Sequence, residues 1–130
     1  MIGTWLEISN EESSMHQHGK LNYVEFASRD LAATKAFFGN AFDWQFTDYG
    51  DDYTAFSNEG LDGGFFKSDK VATQASGAPL LVFYSAELEN TQVAVEAAGA
   101  EISQAIFSFP GGRRFHFVEP GGNEFAVWSE

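Results

Sequence analysis

Residues 21–44, LNYVEFASRDLAATKAFFGNAFDW, decide the fold. The opening LNYVEFA alternates and predicts a strand over 21–27. Leu21, Tyr23 and Glu25 share one face, and Asn22, Val24 and Phe26 share the other. Asp30 then stands at a helix start, where its carboxylate meets backbone N–H groups that lack partners. Leu31, Thr34, Phe37, Phe38 and Ala41 recur at three-to-four spacing and give the helix one broad core-facing side. The helix is expected to end near Phe42 and Asp43, because Asp tolerates the left-handed conformation that closes many helices.

Downstream, strands are expected over 44–49, 53–57 and 63–67, separated by turns at Gly50-Asp51-Asp52 and Asn58-Glu59-Gly60. Residues 68–78 are polar and small with no periodicity, and read as a linker. A second copy of the pattern begins at Pro79 with an apolar strand to Ser85. A helix start at Glu87-Leu88-Glu89 follows, and Gly99 ends that helix. Strands over 101–109, 113–118 and 124–129 complete it, divided by Pro110-Gly111-Gly112 and Glu119-Pro120-Gly121-Gly122-Asn123. Asp30-Leu31, Thr34, Ala36 and Phe38 answer Glu87-Leu88, Thr91, Val93 and Val95. The expected fold is α+β, with two βαβββ modules (20–68 and 79–130) forming paired curved mixed sheets with a shared cleft. Residues 1–19 fall outside the repeat and read as a loosely attached N-terminal extension.

Composition narrows the function. The 130 residues carry 19 acidic and 7 basic side chains, a net charge of −12. No basic stripe exists, so neither nucleic acid nor an anionic membrane is an expected partner. The acidic surface taken as a whole favours a cationic ligand. Fourteen Phe predict an aromatic core, and the absence of Cys excludes a disulfide framework and a thiol nucleophile. No apolar run approaches the ~20 residues of a membrane span. With no basic flank or apolar leader in MIGTWLEISNEESS, a cytoplasmic location is expected.

Three segments in order resemble the vicinal-oxygen-chelate superfamily, which includes glyoxalase I, bleomycin-resistance proteins and extradiol dioxygenases. They are Tyr23-Val24-Glu25-Phe26 leading to Asp30 through Phe38, the exit Ala41-Phe42-Asp43-Trp44, and the closing run from Phe117 to Trp128. The family usually has Gly at Asp43 and often Asp at Glu119. The resemblance implies a homodimer and a small-molecule cleft. In its metal-dependent members the cation is held by side chains of the first and last strands of each half. The positions implied here are Tyr23, Gly63 or Gly64, Leu80 and Ala126. Three of the four have no donor side chain, and a lone tyrosine is a poor ligand for Zn²⁺, Ni²⁺ or Mg²⁺. The expectation is therefore no metal and no other cofactor.

Candidate ligand-binding residues are Tyr23, Glu25, Phe66, Tyr84, Glu124 and Trp128. Glu25 shares a strand face with Tyr23. Glu124 and Trp128 share one with Ala126, where Trp128 offers an aromatic wall. Glu25 and His116 are the candidate catalytic residues. Arg114 and His116 share a face opposite Arg113, Phe115 and Phe117. If that face is the cleft, His116 is the only plausible acid–base group near neutral pH in the paired sheets; with the parity reversed it is a solvent-facing histidine. For each of these residues the bland reading is a solvated rim, core packing or a dimer contact. His16-Gln17-His18 reads as incidental, and the paired glycines lack the following helix of a phosphate loop. The leading functional expectation is binding of a small organic molecule in a metal-free cleft, as in bleomycin-resistance proteins. The alternative is a glyoxalase-like lyase or isomerase using carboxylate and histidine chemistry.

Overall fold

The computed structural model describes residues 16–130. Residues 1–15 of the expected extension lie outside the described residues. The chain runs β1 (Tyr23–Ser28), α1 (Leu31–Phe42), β2 (Thr47–Asp48), β3 (Tyr53–Phe56) and β4 (Asp62–Lys67). A single 3₁₀ turn at Gln74–Ser76 leads to β5 (Leu81–Tyr84), α2 (Leu88–Ala97), β6 (Glu101–Phe109), β7 (Gly112–Val118) and β8 (Glu124–Ser129). Two four-stranded sheets result, ordered β1-β4-β3-β2 and β5-β8-β7-β6. In each, the first strand lies parallel to the last and the rest is antiparallel. This is the paired βαβββ architecture, with the sheets not closed into a barrel.

Helix α1 has the termini its sequence dictates. The Asp30 carboxylate accepts the Ala33 N–H at 3.0 Å, a cap worth about 1 kcal/mol. Asp43 adopts the left-handed conformation at φ 60°, and its N–H reaches the Gly39 and Phe38 carbonyls. The duplication extends to single hydrogen bonds. The hydroxyls of Ser28 and Thr34 are 2.7 Å apart, as are those of Ser85 and Thr91. Each serine also accepts the N–H of the residue two positions on, Asp30 or Glu87. The strand expected over 44–49 is shorter, because Trp44 and Phe46 turn into the core instead of joining the ladder.

The two modules meet through one aromatic core. Phe38, fully buried on α1, lies 5.6 Å from Phe65 of the first sheet and 5.5 Å from Phe125 of the second. Phe42 stacks on Phe83 at 4.6 Å, and Phe37 packs against Phe117. Fully burying such rings contributes roughly 1.5–3 kcal/mol each. The helix-bearing faces of both sheets are thus consumed inside one chain, and the opposite faces are left open. On those open faces Tyr23 is 45 % exposed, Phe66 39 %, Val82 44 % and Tyr84 53 %.

A polar staple joins the modules at their seam. Glu119 is buried and accepts from the Thr34 hydroxyl, the Gly121 N–H and the Asn123 amide. Burial pushes its carboxyl above the usual carboxylate range, against the pull of those donors. Asn123 in turn donates to the Ala27 carbonyl and accepts the Ala72 N–H. The polar stretch 68–78 is therefore tied down. Its Ala72 carbonyl and Gln74 N–H pair with the backbone and side chain of Glu124.

Candidate functional site

Strand alternation sorts the candidate residues onto the two open faces. On the first sheet, Glu25 stands beside Gly64, and Phe66 stands beside both Ala27 and Tyr53. Tyr53 lies across this face. A Cβ on Gly64 would collide with the Tyr53 ring, so only glycine leaves the ring its space. The Tyr53 hydroxyl donates to Glu25 at 3.0 Å and meets the Tyr23 hydroxyl. Burial, reinforced by both neighbours, pushes the Tyr53 phenol far up, so Tyr53 stays a neutral donor.

On the second sheet, Phe115 and Phe117 point into the core, so Arg114 and His116 point the other way. Glu124, Ala126 and Trp128 share that face through their pairing with Val118, His116 and Arg114. His116 is only 1 % exposed. Its Nε2 accepts the Arg114 Nε–H at 3.2 Å, which places the ring proton on Nδ1. Nδ1 looks toward Glu124 Oε2 at 3.6 Å, too far for a hydrogen bond, and has no other partner. Burial first, then the Arg114 charge, holds the imidazole below its usual range, with Glu124 opposing. Glu124 is engaged elsewhere, by the Gln74 N–H at 2.9 Å and the Ser103 hydroxyl at 3.1 Å.

Aromatic rings frame this cluster. The Arg114 guanidinium sits 5.5 Å from the Phe107 ring centre and 5.8 Å from that of Phe109. Trp128 lies against Phe109 at 6.3 Å and Tyr84 at 5.2 Å. The Tyr84 hydroxyl donates to Glu130 at 2.7 Å, which raises the phenol above its usual range. Phe107 and Phe109 escape sequence reasoning because β6 slips register twice before them, so alternation does not predict their face.

The structure does not gather the six expected ligand residues into one pocket. Tyr23, Glu25 and Phe66 belong to the first sheet, whereas Tyr84, Glu124 and Trp128 belong to the second. Among the described residues no hydrogen bond or ring contact joins the two sets. Residues of β1 and β5, with others, line instead an apolar pocket of about 430 Å³. Val24, Phe26, Trp44, Leu81, Phe83 and Phe125 wall it, and of the six expected residues only Tyr84 lines it. Glu59, read from sequence as a turn residue, sits at its mouth. Burial and the nearby Asp43 raise its carboxyl.

The positions that the resemblance implies for a cation do not fit one. Tyr23 is committed to Tyr53. Of the two glycines, Gly63 faces the core against Phe56, and Gly64 faces the open side, where the Tyr53 ring occupies the space above it. Ala126 and Leu80 carry no donor. Among the described residues, no group of three or more His, Asp or Glu side chains is placed to hold a metal. His16, outside both faces, is paired with the Asn22 side chain at 2.7 Å.

A core shared by two βαβββ modules, with two open polar-aromatic faces, defines the class. Residues 20–127 match the Glyoxalase/Bleomycin resistance protein/Dioxygenase superfamily. The chain belongs to that superfamily. Solved structures agree on the fold. A glyoxalase/bleomycin resistance protein/dioxygenase family enzyme from Burkholderia phytofirmans PsJN superposes with TM-score 0.70 at 18 % identity, covering 85 % of this chain and 98 % of that one. The fosfomycin resistance protein FosX from Listeria monocytogenes gives 0.72 at 19 %, covering 88 % and 95 %. Lactoylglutathione lyase from Agrobacterium tumefaciens gives 0.65 at 16 %, covering 87 % and 95 %. No curated protein sequence matches the chain. No helix among the described residues is long and apolar enough to cross a membrane.

Proposed function

We propose that this protein binds a small organic molecule on its open sheet faces without a metal ion, and that a second copy of the chain completes the cleft. One observation carries the reading. The open faces hold ordered polar and aromatic groups (Tyr23–Tyr53–Glu25 on one sheet, Arg114–His116 with Trp128 on the other) that the core does not use. Side chains arranged by mutual hydrogen bonds on an otherwise apolar surface are the ordinary make-up of a ligand site. The exposed Tyr23, Phe66, Val82 and Tyr84 on the same faces supply the apolar surface that a homodimer would cover.

The geometry does not favour an acid–base enzyme. Both His116 nitrogens are turned to Arg114 and Glu124, and the ring is closed off from solvent. Glu25 takes a hydrogen bond from a phenol that keeps its proton. His116 is thus not presented as a free base, and Glu25 has one carboxylate oxygen engaged.

The test is a thermal-shift screen of small organic molecules in the presence of EDTA, repeated on Glu25→Ala and Trp128→Ala. A compound that raises Tm in the parent and not in the variants supports the reading. If no compound stabilises the protein, or if stabilisation requires an added divalent cation, the reading fails.

A further inference from the structure

We infer that the ligand is a small aromatic acid, and that Arg114 receives its carboxylate or phosphonate group while Trp128 and Phe109 hold its ring. The inference rests on the small-molecule reading above and names the chemical class bound.

Arg114 is a cation with unspent donors. The guanidinium has five N–H groups, and among the described residues only Nε–H is used, on His116. The ion pairs among the described residues are Lys35–Asp48, Arg113–Glu89 and His116–Glu124, and none involves Arg114. In a chain with 19 carboxylates and 7 basic groups, a half-buried arginine without a carboxylate among the described residues is out of keeping with the composition. Its neighbour Arg113 shows the ordinary outcome, because it points to the helix side and pairs with Glu89 of α2.

Arg114 is also held in place. Phe107 and Phe109 flank its guanidinium, and the hydrogen bond to His116 engages Nε. The two Nη groups have no hydrogen-bond partner among the described residues and are not among the buried unpartnered atoms, so they remain open to solvent. A planar guanidinium fork matches a carboxylate or phosphonate with two parallel hydrogen bonds. His116 thus serves as a positioning residue. The remaining charges on the face set the direction of the ligand. Glu124 lies on the far side of His116 from Arg114, and Glu130 is drawn to the Tyr84 hydroxyl. An anion is therefore favoured at the Arg114 end and disfavoured at the Glu124 end. The adjacent Trp128, Phe109 and Tyr84 rings supply the apolar contact for an aromatic body. The net charge of −12 favours a cation only at long range, where salt screens it within about 8–10 Å; the contact charge is that of Arg114.

The probes are benzoate, 2-naphthoate and phenylphosphonate, set against benzamide, 2-naphthamide and benzylammonium. Binding is measured by calorimetry and thermal shift on the full-length protein, on Arg114→Gln, Arg114→Lys, His116→Gln and Trp128→Ala. At least one acid is expected to bind ten-fold or more tightly than its matched amide and than benzylammonium. Arg114→Gln is expected to erase that ratio, Arg114→Lys to retain part of it, and His116→Gln to reduce it. Equal binding of acids and amides, lost in Trp128→Ala, would overturn the anion assignment and leave the ligand-binding reading standing. So would a preference for benzylammonium. Failure of every probe would overturn both. If Arg114→Gln does not fold, the acid-to-amide ratio of the parent still decides.

Discussion

Thr34 and Glu119 meet at 2.9 Å across the seam between the two modules, both fully removed from solvent. The second module repeats the Ser–Thr pair at Ser85 and Thr91, but among the described residues no carboxylate bonds to it. That difference makes an internal control. Thr34→Val is expected to destabilise the fold by about 1–3 kcal/mol, since it strips a donor from a buried acid. Thr91→Val is expected to cost less than about 1 kcal/mol. Urea denaturation of the two variants compares them directly, and equal losses would show that the staple adds nothing to the seam.

The Arg114–His116 bond predicts a tautomer and a direction of titration. The neutral ring carries its proton on Nδ1, because Nε2 accepts from Arg114. Its folded pKa lies below the ordinary value of about 6.5, through burial and the arginine charge. A histidine depressed in the folded state is neutral in both states above about pH 6.5 and imposes no penalty there. As pH falls below that value, the unfolded chain takes up the proton first, and stability declines. Nitrogen-detected NMR of the imidazole is expected to show the Nδ1–H form and a midpoint below that of free histidine. The stability advantage of the parent over His116→Gln is expected to shrink below about pH 6.5. An Nε2–H tautomer would contradict the arrangement.

Gly64 and Tyr53 form a second testable pair. Gly64→Ala forces the Tyr53 ring off the sheet and breaks its bonds to Tyr23 and Glu25. Tyr53→Phe removes the same bonds with the ring kept in place. Because these bonds are exposed, Tyr53→Phe is expected to cost under about 1 kcal/mol, whereas Gly64→Ala, which shifts a ring, is expected to cost about 1–3 kcal/mol. Chemical denaturation separates the two, and a neutral Gly64→Ala would show that Tyr53 does not rest on that glycine.

The exposed pair Val82 and Tyr84 on β5 predicts self-association. Light scattering coupled to size exclusion is expected to give twice the 14.3 kDa chain mass. Val82→Lys is expected to shift the protein toward monomer with little change in Tm, since Val82 contributes no core contact. A parent protein that runs as a monomer at high micromolar concentration would contradict the second-copy part of the function.

The fold was legible wherever its determinants are local. Asp30 and Asp43 mark both ends of α1 through their own caps, and alternation in β7 and β8 shows that Arg114 shares a face with His116, and Trp128 with Glu124, without saying which face that is. The candidate site was legible only in part, because its remaining determinants are long-range. The register slips of β6 conceal Phe107 and Phe109. Residues 68–78, without periodicity, are pinned by Asn123 and Glu124, some fifty residues away in the chain. The composition points to a cationic ligand and the proposed Arg114 contact to an anionic one, because net charge carries no information about which side chains are paired.

The central claim, ligand binding on the open faces without a metal, is tested most directly by one calorimetric titration. Elemental analysis of the purified protein comes first. The compound with the largest thermal shift is then titrated into the protein with EDTA present, and again into Trp128→Ala. The account predicts no stoichiometric metal, unchanged affinity in EDTA and loss of binding in Trp128→Ala. One equivalent of a divalent metal in the protein, with binding that vanishes on its removal and returns on its addition, would contradict it.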